Sequence, residues 1–428
     1  MNILKENNFG IFLLIFPLSF VIGIAVTEVF CFFLILLFLI LNKDRSIFFD
    51  YKILFLILFS FFVSLNALIQ IKDNLKYPSF IYLRFVLFSL SVFYICNIYE
   101  NYKNKKHFLF IIIPIILIIF DAFYQLFFGV NILGFELKEG RVSSFFNDEL
   151  ILGSFLIRIL PIILWFIFFL KINLNKYFYF FVIFFTLYFI TIYLSGERTS
   201  LGLCLILIFL VIIFIKPIKS VFLNSFYLLM IFIVLSFFIN FGNINLAKRM
   251  FIKSFNQFTS QQYVKKSQVK KDVSQKENLK KTLKNFQLFS KDHQGHITLA
   301  NSLFKENKLF GVGPRGFRHY CRIVKYDPDI GICSTHPHNL LAQIFSELGL
   351  LGFIFYIIAA FFVVKNLYKT FRKNIHNEST FSFYAVSFGL IINFFPFLPS
   401  GNFFNNWISI MIYYNIGFYL FSCKSKNF

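Results

Sequence analysis

The sequence predicts an all-α polytopic membrane protein with about twelve transmembrane helices and one large loop before the last three. Two observations carry this prediction. Only 14% of the 428 residues are charged and 22% are aromatic, Phe alone accounting for 70 residues, and the mean hydropathy is +0.72. A soluble domain of this composition would expose far too much apolar surface to water.

The apolar segments divide the chain into three regions. Residues 1–242 hold nine predicted spans, residues 243–338 form the large loop, and residues 339–428 hold the last three spans. A length of ~20 residues per crossing gives the candidate helices 9–26, 27–42, 51–70, 79–97, 107–128, 150–170, 177–195, 199–216, 220–241, 339–364, 379–397 and 403–421.

The formal net charge of +22 is explained by topology rather than by nucleic acid, because Lys and Arg concentrate in cytoplasmic connections of membrane proteins. Strict alternation of twelve spans brings the basic connections to one side of the membrane and predicts that both termini are cytoplasmic. These basic positions are Lys43 and Arg45, Lys103, Lys105 and Lys106, Lys171 and Lys176, Lys216 and Lys219, Lys365 to Lys373, and Lys424 and Lys426.

The opposite, outer side then carries a medium loop at about 129–149 and the large loop. The Lys/Gln/Ser-rich stretch from Lys265 to Lys291 predicts a mobile or loosely helical segment. Residues 296–308 follow as an amphipathic helix. The large loop contains five of the seven histidines, His293, His296, His319, His336 and His338.

The tetrad His336-Pro337-His338-Asn339 stands where this loop turns into an apolar helix. We expect Pro337 at the first helical position, His336 as the cap before it and His338 in the first turn. The helix dipole there disfavours imidazolium, so His338 can accept a proton, and free N–H groups can bind an anion. The alternative is a capping or interface histidine without a chemical role.

Two further segments place arginine among glycines on the outer side. Arg198 lies in the turn SGERTSLG, where guanidinium suits phosphate oxygens, although an arginine snorkelling to the interface is the alternative. GVGPRGFRHYCR (311–322) holds Arg315, Arg318 and Arg322. Its glycines allow an anion-binding nest, but the segment is no Walker A motif and a plain glycine turn remains open.

Charged residues also lie inside the predicted spans. Asp121 and Arg158 both lie about 10 Å below the outer boundary at 1.5 Å per helical residue. Opposite charges at one depth on consecutive spans predict an ion pair, with an uncoupled snorkelling arginine as the alternative. Arg84 and Glu347 lie in the outer half as well. Such charges usually line a cavity or pathway.

Cys321 and Cys333 are the two cysteines of the large loop, and an oxidising compartment favours their pairing. The bridge would close a loop of 13 residues and stabilise it by about 3 kcal/mol. Two free thiols are the alternative. No metal site is predicted, because His336 and His338 are two residues apart whereas two ligands on one helix face need a spacing of four.

These elements together resemble the O-antigen ligase family, which includes O-antigen polymerases. The resemblance rests on four segments, which are His338-Asn339 followed by LLAQIFSELGLLGF, SGERTSLG around Arg198, GVGPRGF at 311–317, and RVSSFFNDELILGSFL at 141–156, which opens with Arg141. It extends over most of the chain, because about twelve spans with one large periplasmic loop before the last three helices is the family's architecture.

The resemblance implies an inverting glycosyltransferase that needs neither metal nor cofactor. Its donor would be a glycan on undecaprenyl diphosphate and its acceptor lipid A–core or another glycan, at the periplasmic face of a bacterial inner membrane. His338 matches the family's essential histidine and Arg198 a diphosphate-binding arginine. His296 stands where the family has a second arginine, so either His296, Arg315 or Arg318 would complete the diphosphate site. The remaining polar residues around it would support these groups, namely His336, Asn339, Arg141, Asp121, Arg158 and Glu347.

The sequence leaves other functions open. A transporter of lipid-linked glycans would also need many spans and intramembrane charges, although no inverted repeat is visible. A scaffold with a basic loop that binds anionic glycans is a further alternative. Ligase and polymerase share their chemistry and differ in acceptor, so one chain does not separate them.

Overall fold

A computed structural model describes residues 9–69, 81–138, 140–238, 250–251, 291–323 and 333–424. Within these ranges the chain is helical, and its only strand-like pairings are three isolated bridges. In chain order the described helices are α1 Phe9–Ile22, α2 Ile24–Leu41, α3 Tyr51–Ile69, α4 Leu83–Tyr102, α5 Leu109–Phe128, α6 Leu152–Phe169, α7 Phe178–Leu194, α8 Arg198–Phe214, α9 Lys219–Leu235, α10 Lys291–Glu306, α11 Gly316–Ile323, α12 Leu340–Arg372, α13 Glu378–Asn393 and α14 Asn406–Lys424.

Several of these helices are long and apolar enough to cross a membrane, which confirms the all-α membrane class. Three others, α1, α7 and α8, are apolar but shorter. Helices lie at each of the twelve predicted positions, but the count of twelve spans remains a prediction. The seven segments of sufficient length and hydropathy among the described residues are Ile24–Leu41, Tyr51–Ile69, Leu83–Tyr102, Lys105–Phe128, Leu152–Phe169, Lys216–Leu235 and Leu340–Arg372.

Most of the predicted large loop lies outside the described residues, including nearly all of the stretch from Lys265 to Lys291. The part that is described contains the predicted amphipathic helix. Its apolar side is confirmed, because Leu299, Ala300 and Leu303 of α10 are buried in a small second core. That core also contains Val312 and Phe317 from the segment after α10.

Helix α6 is the centre of the bundle. All of its residues except Ser154 are buried, and it packs along α13, while α14 packs along α4. Polar side chains in this interior find partners in other helices. The indole N–H of Trp165 donates to Ser422 Oγ at 2.9 Å, and the Tyr188 hydroxyl donates to the Leu156 carbonyl at 2.6 Å. Such bonds are needed where no water can replace them.

The first two helices meet earlier than predicted. The expected boundary between residues 26 and 27 is wrong, because α1 ends at Ile22 and α2 begins at Ile24. Gly23 between them has φ 145° and ψ 157°, a conformation open to glycine but strained for other residues. The chain reverses there, so that Ser19 Oγ reaches Thr27 Oγ1 at 3.2 Å.

Helix α12 is kinked at Gly349, which has φ 65° and ψ −159°. The kink interrupts the helical hydrogen bonds, and the turn before α11 replaces them. Val312 N–H donates to the Ser346 carbonyl at 2.8 Å, and Gly313 N–H donates to the Glu347 carbonyl at 3.0 Å. The two main chains cross where only glycine fits, since a Cβ on Gly349 would lie 2.5 Å from the backbone of Leu309.

We predict that Gly349→Ala lowers the free energy of unfolding by about 3 kcal/mol or more, because the methyl group adds a backbone clash to the strain of a left-handed residue. Gly129→Ala is the matched control. Gly129 also has a positive φ, 80°, but its Cβ would meet nothing within 4 Å, so only strain of about 1–2 kcal/mol is expected. Thermal melting of the detergent-solubilised variants measures both effects, and equal melting shifts would contradict the crossing.

Candidate active site

A cavity of about 580 Å³ lies between the starts of α6 and α8 and the connection from α13 to α14. It brings together residues that are far apart in the sequence. Its charged and imidazole-bearing lining residues are Arg141, Arg158, Glu197, Arg198, His336 and His338.

The histidine tetrad precedes α12 rather than entering it. The helix begins at Leu340, and Asn339 is its N-cap, with the amide oxygen accepting the Ala342 N–H at 3.0 Å. The predictions that Pro337 opens the helix, that His336 caps it and that His338 lies in its first turn are therefore wrong. The physical reason is that an asparagine oxygen can satisfy the free N–H groups of a first turn.

His338 is held in an unusual backbone conformation beside the cavity. Its φ is 55°, in the left-handed region that residues other than glycine seldom occupy. The Ser400 N–H donates to the His338 carbonyl at 3.0 Å and thereby fixes this conformation. On the imidazole, Nε2 lies 2.8 Å from Ser334 Oγ. Left-handed residues of this kind concentrate at functional sites.

His336 is buried and has both ring nitrogens engaged. Nε2 lies 3.0 Å from the Ser400 carbonyl oxygen, and Nδ1 lies 3.0 Å from Thr335 Oγ1. Because a carbonyl oxygen can only accept, the proton is on Nε2 of His336, and a neutral ring then accepts the Thr335 hydroxyl at Nδ1. His336 thus links the tetrad to the connection between α13 and α14.

A third imidazole completes this group. His296 on α10 is buried, and its ring centroid lies 5.4 Å from that of His338, whose ring in turn lies 4.1 Å from that of His336. Within the described residues, no three His, Cys, Asp or Glu side chains are grouped so that they could hold a metal ion.

The Glu197 carboxylate joins the starts of α6 and α8. Oε1 accepts the Gly153 N–H at 2.8 Å, and Oε2 accepts the Ser154 N–H at 3.1 Å. The hydroxyls of Ser154 and Ser200 also donate to Oε2, at 2.7 and 2.9 Å. The carboxylate therefore satisfies first-turn N–H groups of α6, which its own N-cap Ile151 leaves without a side-chain partner. Gly153 allows the close approach, because a Cβ there would lie 2.4 Å from Ser195 Oγ.

Two arginines flank this junction. Arg141 donates from Nε to the Ser195 carbonyl at 3.0 Å and from Nη2 to the Leu150 carbonyl at 3.2 Å. It thereby ties the turn before α8 to the segment before α6. Arg198 is the first residue of α8, exposed, and lines the cavity. The positive end of the α8 dipole adds to its attraction for an anion.

Residues 182–357 match the family model described as O-antigen ligase. This segment is similar to the O-antigen ligase domain. The predicted family is thereby confirmed, and it indicates glycosyltransferase activity of the O-antigen ligase or polymerase type. No curated protein matches the chain.

The matched segment supplies only part of the cavity. Arg198, His336 and His338 lie within its limits, whereas Arg141 and Arg158 precede it and the connection between α13 and α14 follows it. The site is therefore built from more of the chain than the matched segment.

Arg315 and Arg318, the predicted alternatives for the diphosphate, do not line the cavity. Arg315 donates from Nε and Nη2 to the Phe404 carbonyl, at 3.0 and 2.5 Å. Burial, together with the charge of Arg318, lowers the pKa of Arg315. His296 does not line the cavity either, but its ring lies 5.4 Å from that of His338, which does.

The predicted ion pair between Asp121 and Arg158 is wrong. The Asp121 carboxylate is buried and accepts the Ile132 N–H at 2.9 Å and the Ser144 hydroxyl at 2.6 Å. It therefore organises the loop between α5 and α6. Arg158 instead donates from Nη1 to the Ser154 carbonyl at 3.0 Å. A carboxylate satisfied by N–H and O–H donors has no need of a guanidinium.

Glu347, the other buried acid predicted near the site, supports the turn before α11. Its Oε1 accepts the Phe317 N–H at 3.1 Å and its Oε2 accepts the Gln343 side-chain N–H at 2.8 Å.

The cysteines singled out in the sequence are joined, since Cys321 and Cys333 form a disulfide with Cα atoms 5.5 Å apart. The bridge links α11 to the segment that leads into His336.

Sequence reasoning missed Glu197, although it stands in the turn already singled out for Arg198. A glutamate directly before a helix was a usable signal, because acidic side chains favour helix N-termini. The sequence does not show that Glu197, which precedes α8, binds the first-turn N–H groups of α6 instead. The contribution of Ser400 was also missed, since its backbone contacts with the tetrad carry no sequence signature.

We predict that Glu197→Ala lowers the free energy of unfolding by about 2–3 kcal/mol, because N–H and O–H donors at the start of α6 lose their acceptor. Asp44→Ala is the control, since Asp44 also accepts a first-turn N–H, from Ser46 at 2.9 Å, but is exposed to solvent. Water replaces the lost acceptor there, so only a small shift is expected. Melting temperatures of the purified variants measure this, and a Glu197→Ala shift as small as that of the control would contradict the role of Glu197.

Proposed function

We propose that this protein is an O-antigen ligase-like glycosyltransferase that moves a glycan from undecaprenyl diphosphate to lipid A–core. The reaction takes place at the periplasmic face of a bacterial inner membrane, with both termini in the cytoplasm and residues 243–338 as a periplasmic loop. The observation that carries the proposal is the cavity that holds His338 and Arg198 together, in a chain with an O-antigen ligase domain.

The proposed chemistry is a single displacement that inverts the anomeric carbon. A hydroxyl oxygen of the acceptor forms the new bond to that carbon, and the bond between the carbon and the diphosphate oxygen breaks. The leaving lipid diphosphate takes the electron pair, and Arg198 stabilises its charge. His338 orients the hydroxyl and takes its proton. Neither metal nor cofactor is required in this scheme.

The surrounding residues support these two groups. His336 and Asn339 fix the backbone of the tetrad, Arg141 fixes the turn that carries Arg198, and His296 lies against His338. An apolar cavity of about 350 Å³ between α3, α12, α13 and α14 shares Phe395 with the polar one. A lipid-linked donor needs apolar surface of this kind next to its charged group.

We predict that His338→Asn lowers glycan transfer roughly 10²–10⁴-fold, the usual contribution of a general base. Asparagine tolerates the left-handed backbone that His338 adopts, so the imidazole is removed with little strain. His376→Asn is the control, because His376 is an exposed histidine between α12 and α13, with Nε2 3.3 Å from Lys216 Nζ.

The measurement is gel analysis of lipopolysaccharide from a deletion strain that carries each variant. Loss of the gene should leave lipid A–core without glycan while polymer accumulates on the lipid carrier. Wild type and His376→Asn should restore attachment, and His338→Asn should not. Core capped with one repeat unit would instead indicate a polymerase, and full attachment by His338→Asn would refute the role of the imidazole.

A further inference from the structure

Arg158 presents a buried guanidinium to the polar cavity. It lies six residues after Leu152 on α6, which places its backbone about 9 Å along the helix from its start. Only 7% of the residue is exposed, yet it lines the cavity. A guanidinium buried in a membrane protein requires compensating partners, because its transfer from water is costly.

The protein supplies only some of those partners. Nη1 donates to the Ser154 carbonyl at 3.0 Å, and the guanidinium carbon lies 5.6 Å from the centre of the Trp407 ring. Nε has no hydrogen-bond partner within the described residues. The ion pairs of the described chain, Arg84–Glu28 and Lys138–Asp148, do not include Arg158.

The acid of the cavity does not complete the set. Glu197 exerts an electrostatic attraction on Arg158, but its two oxygens accept the N–H groups of Gly153 and Ser154 and two hydroxyls. With Glu197 occupied by four donors and Nη1 of Arg158 bound to Ser154, the other N–H groups of the arginine stay open to an anionic ligand.

We infer that Arg158 binds a phosphate oxygen of the ligand at the inner end of the cavity. The inference rests on the proposed function, in which the ligand is a polyprenyl diphosphate. Arg198 on α8 and Arg158 on α6 then hold the diphosphate from two helices. Glu197 fixes their relative position, because it precedes Arg198 in the chain and binds Ser154, one helical turn before Arg158.

Trp407 lies against one face of this guanidinium. The indole ring faces one side of the planar group, where it offers a cation–π contact but no hydrogen-bond acceptor. The N–H edge therefore remains the part that can bind oxygen. A planar fork of this kind matches two phosphate oxygens, which a lysine ammonium cannot do.

The test measures binding of undecaprenyl diphosphate to the full-length protein in nanodiscs of zwitterionic lipid. Undecaprenol, which lacks phosphate, and phosphatidylglycerol, which offers a phosphate headgroup, are the comparison ligands. The variants are Arg158→Gln, Arg158→Lys and Arg198→Gln. Arg84→Gln is the matched control, since Arg84 is also an intramembrane arginine but is paired with Glu28 at 3.1 Å and does not line the cavity.

We expect wild type to prefer the diphosphate to both comparison ligands. Arg158→Gln should weaken diphosphate binding by roughly 30-fold or more, as expected when a buried charge partner is removed. Arg158→Lys should fall between that variant and wild type. Arg84→Gln should stay within about 2-fold of wild type, because Arg84 is paired with Glu28 and does not line the cavity. Melting temperatures accompany each measurement, and if Arg158→Gln unfolds, Arg158→Lys alone decides.

If a folded Arg158 variant binds undecaprenyl diphosphate as tightly as wild type while Arg198→Gln binds it more weakly, the role of Arg158 is overturned. The proposal of a diphosphate site at Arg198 then still stands. Equal binding of phosphatidylglycerol would overturn the assignment of the ligand, because a lipid headgroup would then be its source. Equal binding of undecaprenol and undecaprenyl diphosphate by wild type would refute the proposed function itself.

Discussion

The Glu197 carboxylate is the contact on which the cavity depends. A helix start that is buried inside a protein leaves N–H groups that must find acceptors, because a buried N–H without a partner is costly. At the start of α6 the acceptor comes from the turn before α8. One carboxylate therefore fixes two helices, and the arginines that these helices carry, Arg158 and Arg198, are positioned by a single group.

The opposite wall of the cavity depends on backbone pairing. The connection from α13 to α14 contacts the histidine tetrad through the N–H and the carbonyl of Ser400, and Asn339 donates to the Pro396 carbonyl at 3.0 Å. His338 thus acquires its left-handed backbone from a segment more than fifty residues away. This segment is itself fixed by α12, since Gln343 accepts the Phe403 N–H at 3.0 Å and donates to Asn402 at 2.7 Å.

Patterns that act locally could be predicted from the sequence, and those that depend on distant partners could not. Hydropathy predicted the helices, and the amphipathic helix near residue 300 followed from its periodicity. The partners of Asp121 were missed because they are backbone N–H and hydroxyl groups of a neighbouring loop, which carry no charge signature. The start of α12 was misplaced because Asn339 and Pro337 are both acceptable at helix starts, and tertiary contacts of the tetrad decided between them.

The segment GVGPRGF shows how a motif can serve a site without entering it. Its glycines cross the kink of α12 at Gly349, and Arg315 reaches the Phe404 carbonyl. The crossing fixes the direction of α12, whose first turn follows His338, and the arginine fixes the connection that binds the tetrad. An arginine among glycines therefore need not be an anion ligand. In this chain its bonds to a carbonyl oxygen stabilise the connection from α13 to α14, and the arginines that line the cavity are the better candidates for an anion ligand.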